Sequence, residues 1–160
     1  MQARMIIEGG SMHALKFLRL GFLFSVVISS QAFAQEEEIQ KRRLLMESNN
    51  DAATKAIREA IKEKNFPEIQ VKAKVIMENM DKVLDFFPKG STSEKSRAKP
   101  EIWEKWDEFS KNPSKVKKAA QELSDAAKAN DEAGVNAKYK ALGEACASCH
   151  NSFRGPRKGG

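Results

Sequence analysis

The chain has 160 residues, with 28 Lys and Arg against 22 Asp and Glu, a formal charge of +6. That length fits one domain of ordinary size and leaves no room for a second sizeable core. Two cysteines exclude a multi-disulfide scaffold and a four-thiolate metal site, nine glycines and five prolines are too few for a collagen-like chain, and 41% hydrophobic residues argue against wholesale disorder.

The first segment carries a targeting pattern. Lys16 and Arg19 precede the apolar run Leu20 to Ile28, and Ala32-Phe33-Ala34 forms an A-x-A site ahead of Gln35-Glu36-Glu37-Glu38. This order predicts a cleaved secretory signal over 1–34 and a mature domain over 35–160, with Met12 as a candidate start of translation beside Met1 and Met5. The apolar run falls far short of the about 20 residues that cross a bilayer, so no stable membrane insertion is expected after cleavage. Loss of Arg4, Glu8, Lys16 and Arg19 leaves 25 basic and 21 acidic residues, a charge of +4 that calls for no nucleic acid. The mature chain then keeps one histidine, His150, and three methionines, Met46, Met77 and Met80.

Beyond the leader, apolar residues recur at helical intervals and no run shows strand alternation. Segment 36–64 carries Ile39, Met46, Ala53, Ile57, Ala60 and Ile61 along one stripe. Segment 68–87 places Ile69, Ala73, Ile76, Met80, Val83, Leu84 and Phe87 in steps of three or four. Pro88 to Ser93 reads as a polar loop. Glu101 to Ser110, with Trp103, Trp106 and Phe109, is a short helical stretch that either leads into the next helix with a kink at Pro113 or stands alone. Segments 114–129 and 131–153 complete the set, with Asn112 and Asn130 expected as their N-caps and Pro67, Pro100 and Pro113 suited to first helical turns. Four amphipathic helices predict an all-α fold, an antiparallel up-down-up-down four-helix bundle.

Cys146-Ala147-Ser148-Cys149-His150 is the chemical motif. Thiols three residues apart can add to the two vinyl groups of one haem, and the next histidine reaches the iron; C-x-x-C-H is the attachment signature of haem c. A zinc site needs a fourth ligand that the mature chain does not supply as Cys or His. A thioredoxin-like dithiol belongs near a βαβ pattern. A plain disulfide leaves His150 without a role.

With this motif at the end of the last helix, continued by Asn151-Ser152-Phe153-Arg154, and with Pro100-Glu101-Ile102-Trp103 before the third helix and Arg42 with Met46 in the first, the chain resembles the class II cytochromes c: cytochrome c-prime and its low-spin relatives. The resemblance implies one covalent haem c held by Cys146 and Cys149, with His150 as proximal iron ligand. It also implies that the first-helix residue facing the iron divides the family. An apolar residue there leaves the iron high-spin and open; a methionine completes His/Met coordination. Met46 stands at that position, and Leu45 would take it if the helix were turned by one residue. By the same resemblance Arg42 approaches a haem propionate, although the run Lys41-Arg42-Arg43 reads equally as solvated base, and Arg154 stands beside the proximal histidine. Phe153 is expected near the haem, and Trp103 and Trp106 as core or haem wall.

The functional expectation is a non-enzymatic periplasmic electron carrier of a Gram-negative bacterium, most like the low-spin branch, exchanging electrons with redox partner proteins as a monomer or homodimer. The alternative is a protein of the c-prime type that binds nitric oxide or carbon monoxide at a five-coordinate iron.

Overall fold

The computed structural model describes residues 33–94 and 96–156. The chain divides into two compact units, Met1–Ala34 and Gln35–Gly160. The basic and apolar parts of the expected signal segment lie outside the described residues. The second unit holds every element considered below. Its helix α1 covers 35–50, passes through a π-helical turn at Asp51–Ala56 and resumes as α-helix at Ile57–Lys62. Helix α2 spans Phe66–Lys82 and tightens into a 3-10 turn at Val83–Phe86. Two single turns follow, α3 (Glu101–Glu104) and α4 (Trp106–Phe109), then the long helices α5 (Asn112–Lys128) and α6 (Glu132–Phe153). No strand occurs among the described residues, and none of their helices is long and apolar enough to cross a membrane.

Helices α1, α2, α5 and α6 make the four-helix bundle, with α1 on α2, α2 on α5 and α5 on α6. The stripes of α2 and α5 match. Ile69, Ala73, Ile76 and Met80 are buried on one, Val116, Ala120, Leu123 and Ala127 on the other, each in steps of four, three and four. Such a stripe removes a continuous apolar face from water, and each large buried side chain contributes about 2 kcal/mol. Glu101 to Ser110 stands as two separate turns, because Lys105 leaves helical geometry (φ −119°, ψ 46°) between them.

The two short connections share one construction. After α1, Lys64 turns left-handed (φ 54°), its N–H bonds Ile61 O at 3.2 Å, and the Asn65 N–H reaches back to Ala60 O at 2.8 Å. After α5, Asn130 (φ 55°) and Asp131 repeat the pattern onto Ala127 O and Ala126 O. Both are Schellman turns that satisfy the last carbonyls of a helix. In each, the closing residue also caps the next helix: Asn65 accepts from the Glu68 N–H and Asp131 from the Gly134 N–H. The sequence expectation for two asparagines is thereby corrected. Asn130 ends α5 rather than starting α6, because Asn tolerates the left-handed region. Asn112 likewise turns backward, its amide donating to Glu108 O and Phe109 O, both at 3.0 Å.

The stripe of α1 also differs from expectation. The core side of its first part is Ile39, Arg42, Leu45 and Ala52, and the next buried residue is Ile57, a step of five. That step coincides with the π-helical turn, where the Ile57 N–H bonds Ala52 O. The extra residue returns a stripe that was drifting around the helix to the core side. Met46 and Ala53, expected in the stripe, sit beside it, partly buried.

Gly134 leaves room for the cap before it, since a Cβ there would fall 2.1 Å from an Asp131 carboxylate oxygen and turn that side chain aside. Asp131→Ala is expected to destabilise the fold by about 1 kcal/mol, the loss of one N-cap; thermal denaturation of the purified protein checks it.

Candidate functional site

Helix α6 presents an interrupted core. Val135 and Leu142 are buried, and the next buried side chain is Phe153. Between them Cys146, Cys149 and His150 are only partly covered, because the side facing α1 is open space. A cavity of about 470 Å³ fills it, walled by Ile76, Met80 and Val83 of α2, Val116 of α5, Met46 and Ala53 of α1, and the Cys-x-x-Cys-His turn. A second cavity of about 440 Å³ adjoins it, bringing together Arg42, Arg43, Arg97, Phe153 and Arg154. Met46, Cys149, His150, Phe109 and Arg154 line both.

This pair of spaces suits a flat apolar ring that carries two carboxylates at one edge. The first cavity offers aliphatic walls, the second four guanidinium groups. The donor set fits as well. Both cysteines are free thiols, three residues apart on one helix. Burial pushes Cys146 above its ordinary pKa, and burial with the neighbouring Cys146 thiol pushes Cys149 to about 11. Both are therefore thiols at neutral pH, and each supplies an S–H that can add across one vinyl group. Burial, then Arg154 and Arg97, lowers the pKa of His150. Its imidazole is thus neutral at pH 7, with a lone pair free for iron.

Met46, not Leu45, faces the site. Leu45 is buried at 8% exposure and lines neither cavity, whereas Met46 lines both. Phe153 is buried in the second cavity's wall, and its ring meets Phe109 edge-on at 5.3 Å. Trp103 lines neither cavity; of the core and haem-wall places expected for it, it takes one against the core. Its partly buried indole N–H needs an acceptor and finds Phe87 O at 3.2 Å, which holds the ring against the crossover. Phe109 takes the wall position instead, its ring 4.9 Å from Phe87 and 5.5 Å from Trp106. Nothing in local spacing marks Phe109 or Tyr139 as site residues; both arrive by tertiary packing.

Arg42 is the largest departure from a solvated base. It is 4% exposed, and its guanidinium donates to Ser91 Oγ at 3.0 Å, Ser91 O, Ser96 Oγ at 2.7 Å and Phe86 O at 3.4 Å. Its Cζ also stands 4.8 Å from the centre of the Phe87 ring. Burial lowers its pKa to about 10, so it remains charged at neutral pH. One side chain of α1 thereby ties down the segment that leaves α2. The same segment is fixed at its far end, where Lys99 N–H bonds Phe153 O at 3.1 Å and Gly155 N–H bonds Arg97 O at 2.7 Å. The residues flanking the Cys-x-x-Cys-His turn are therefore held by the crossover.

Comparison with known proteins agrees with this geometry. Residues 37–154 match the protein family described as Cytochrome C'. A cytochrome c' of Rhodospirillum rubrum is 37% identical over 83 residues, 51% of this chain and 56% of that protein. A cytochrome c-556 of Agrobacterium fabrum is 35% identical over 147 residues, 88% of this chain and 95% of that protein. The chain thus spans about half the length of the first relative and nearly all of the second. Among solved structures, a nitric oxide complex of a mutant cytochrome c prime from Alcaligenes xylosoxidans superposes with a TM-score of 0.68 at 20% identity, covering 77% of this chain and 97% of that one. At that identity the likeness establishes the fold. The chain belongs to the cytochrome c' family, and its cofactor is covalently attached haem c.

Arg42→Met is expected to destabilise the protein by about 3 kcal/mol, because it strips donors from buried acceptors on Ser91 and Ser96. Urea denaturation checks this: the midpoint should fall while the slope holds.

Proposed function

We propose that this member of the cytochrome c' family is a periplasmic electron carrier whose haem iron is held by His150 on one side and Met46 on the other. The observation that carries the reading is that Met46 and His150 line both cavities from different helices, while Leu45 points into the core. A haem held there would supply a one-electron iron couple, and the Met46 thioether, if bound to the iron, would raise its potential.

The chain's own residues bind, orient and shield. Cys146 and Cys149 fix the ring to α6, and the aliphatic walls on α2 and α5 keep water away from it. Arg43, Arg97 and Arg154 offer positive charge at the second cavity for the propionates. Arg42 shares that wall while it anchors the crossover. We assign the protein no enzymatic activity. Redox partner proteins are the expected partners, and the protein works as a monomer or homodimer. Export and cleavage after Ala34 rest on the A-x-A pattern.

A second reading has its own support. The matching family is that of cytochrome c', and the solved relative holds nitric oxide. The comparisons favour this reading over the first. In it Met46 stays off the iron, and the open side takes up nitric oxide or carbon monoxide.

A visible spectrum of the purified protein separates the two. A low-spin pattern with the sulfur-to-iron charge-transfer band is expected, and Met46→Ala should convert it to a high-spin form accessible to added ligand. High-spin spectra of the unaltered protein in both oxidation states would sink the Met46 assignment. Mass spectrometry of the exported protein should show one haem added and residues 1–34 removed; an unmodified mass rejects the attachment.

A further inference from the structure

The π-helical turn of α1 strands a backbone acceptor. In a regular helix the Ile57 N–H would bond Ala53 O, four residues back. Here it bonds Ala52 O, five back, so Ala53 O loses its helical donor. The donor that replaces it comes from another helix: the Tyr139 hydroxyl of α6 reaches Ala53 O at 2.9 Å. A partly buried carbonyl gains from having a partner, so the hydroxyl and the turn support each other. Without the extra residue Ala53 O would be occupied and Tyr139 would have nothing on α1 to hold.

The tie lies on the haem side of both helices. Tyr139 and Ala53 line the first cavity. Lys64 pairs with Glu132 at 2.8 Å, so α1 falls in number as α6 rises, and the two run antiparallel. Seven residues beyond the tie α1 reaches Met46 and α6 reaches Cys146, two turns and a rise of about 10 Å along each helix. Seven residues also return nearly to the same helical face. The tie therefore closes one end of the space whose walls, two turns on, are Met46 and the haem-attaching turn.

We propose that Tyr139 is a positioning residue: by holding the stranded Ala53 carbonyl it fixes the spacing between the Met46 segment of α1 and the haem face of α6, and so how readily an outside ligand enters between them. This rests on haem filling the cavity and not on Met46 binding the iron.

The test is carbon monoxide affinity of the reduced holoprotein, with amide hydrogen exchange across 54–58 as a second measurement. Tyr139→Phe removes only the hydroxyl. It is expected to tighten carbon monoxide binding about fivefold, the equilibrium factor of one ordinary hydrogen bond, and to speed exchange in that segment. Deletion of Lys55, an exposed residue of the turn, restores a regular helix and frees Ala53 O from Tyr139. It is expected to reproduce the effect, and the two changes together should add nothing; this variant carries the test if Tyr139→Phe does not fold. Asn136→Ala, which deletes an exposed hydrogen bond to Glu132 O within α6 and lies outside both cavities, serves as control and should leave the affinity within twofold. Unchanged affinity in Tyr139→Phe, or an equal shift in Asn136→Ala, overturns the proposal. A high-spin spectrum of the unaltered protein would reject Met46 ligation and leave this test standing.

Discussion

A four-helix bundle normally closes by burying one apolar stripe from every helix, and each gap in that closure loses packing contacts. In this protein α6 withholds its middle. Val135 and Leu142 join the core, then nothing is fully buried until Phe153. The helices around that gap must stay apart without the packing that usually sets their distance. Polar ties do that work: Tyr139 to the Ala53 carbonyl at one end, and at the other the crossover bonded to Phe153 O and Gly155 N–H. The cavity is a consequence of those ties as much as of the side chains lining it.

Arg42 shows how the same constraint reaches the long connection. Residues 87–99 have little apolar surface of their own to bury, and a segment of that kind normally moves freely. Four hydrogen bonds from one guanidinium and the face of Phe87 replace a core. An arginine suits the task because its planar fork supplies several fixed donors at once. With the segment held, Phe87 meets Phe109, and Phe109 meets Phe153 beside the haem-attaching turn.

The helices and the attachment motif were legible because both are local. The four-three-four steps of α2 and α5, the prolines in first turns and Cys-x-x-Cys-His can be found within a few turns of chain. Spacing alone places Met46 in the same stripe as Ile39, whereas the structure sets it beside that stripe, against both cavities. The π-helical turn is not legible in the sequence because α1 offers two sets of apolar residues. Ile39, Met46, Ala53 and Ile57 fit ordinary steps, while the set actually buried needs the five-residue step from Ala52 to Ile57. Asn112 and Asn130 sit at junctions where one residue can serve either helix, and the choice depends on backbone angles that composition does not encode. Arg42, Phe109 and Tyr139 act on residues far along the chain, beyond the reach of any periodicity.

The matching turns after α1 and α5 have a consequence for how the protein comes together. Each makes a helical hairpin from nearby residues, and such local contacts form fast. The first hairpin owns Met46 and the second owns His150 and both cysteines, so neither possesses the site. A haem linked to the second hairpin travels with it and meets the first within the same molecule, at the high effective concentration of a tethered partner. Covalent attachment thus changes the prosthetic group from a ligand that must be found into a surface on which the two halves of the chain assemble.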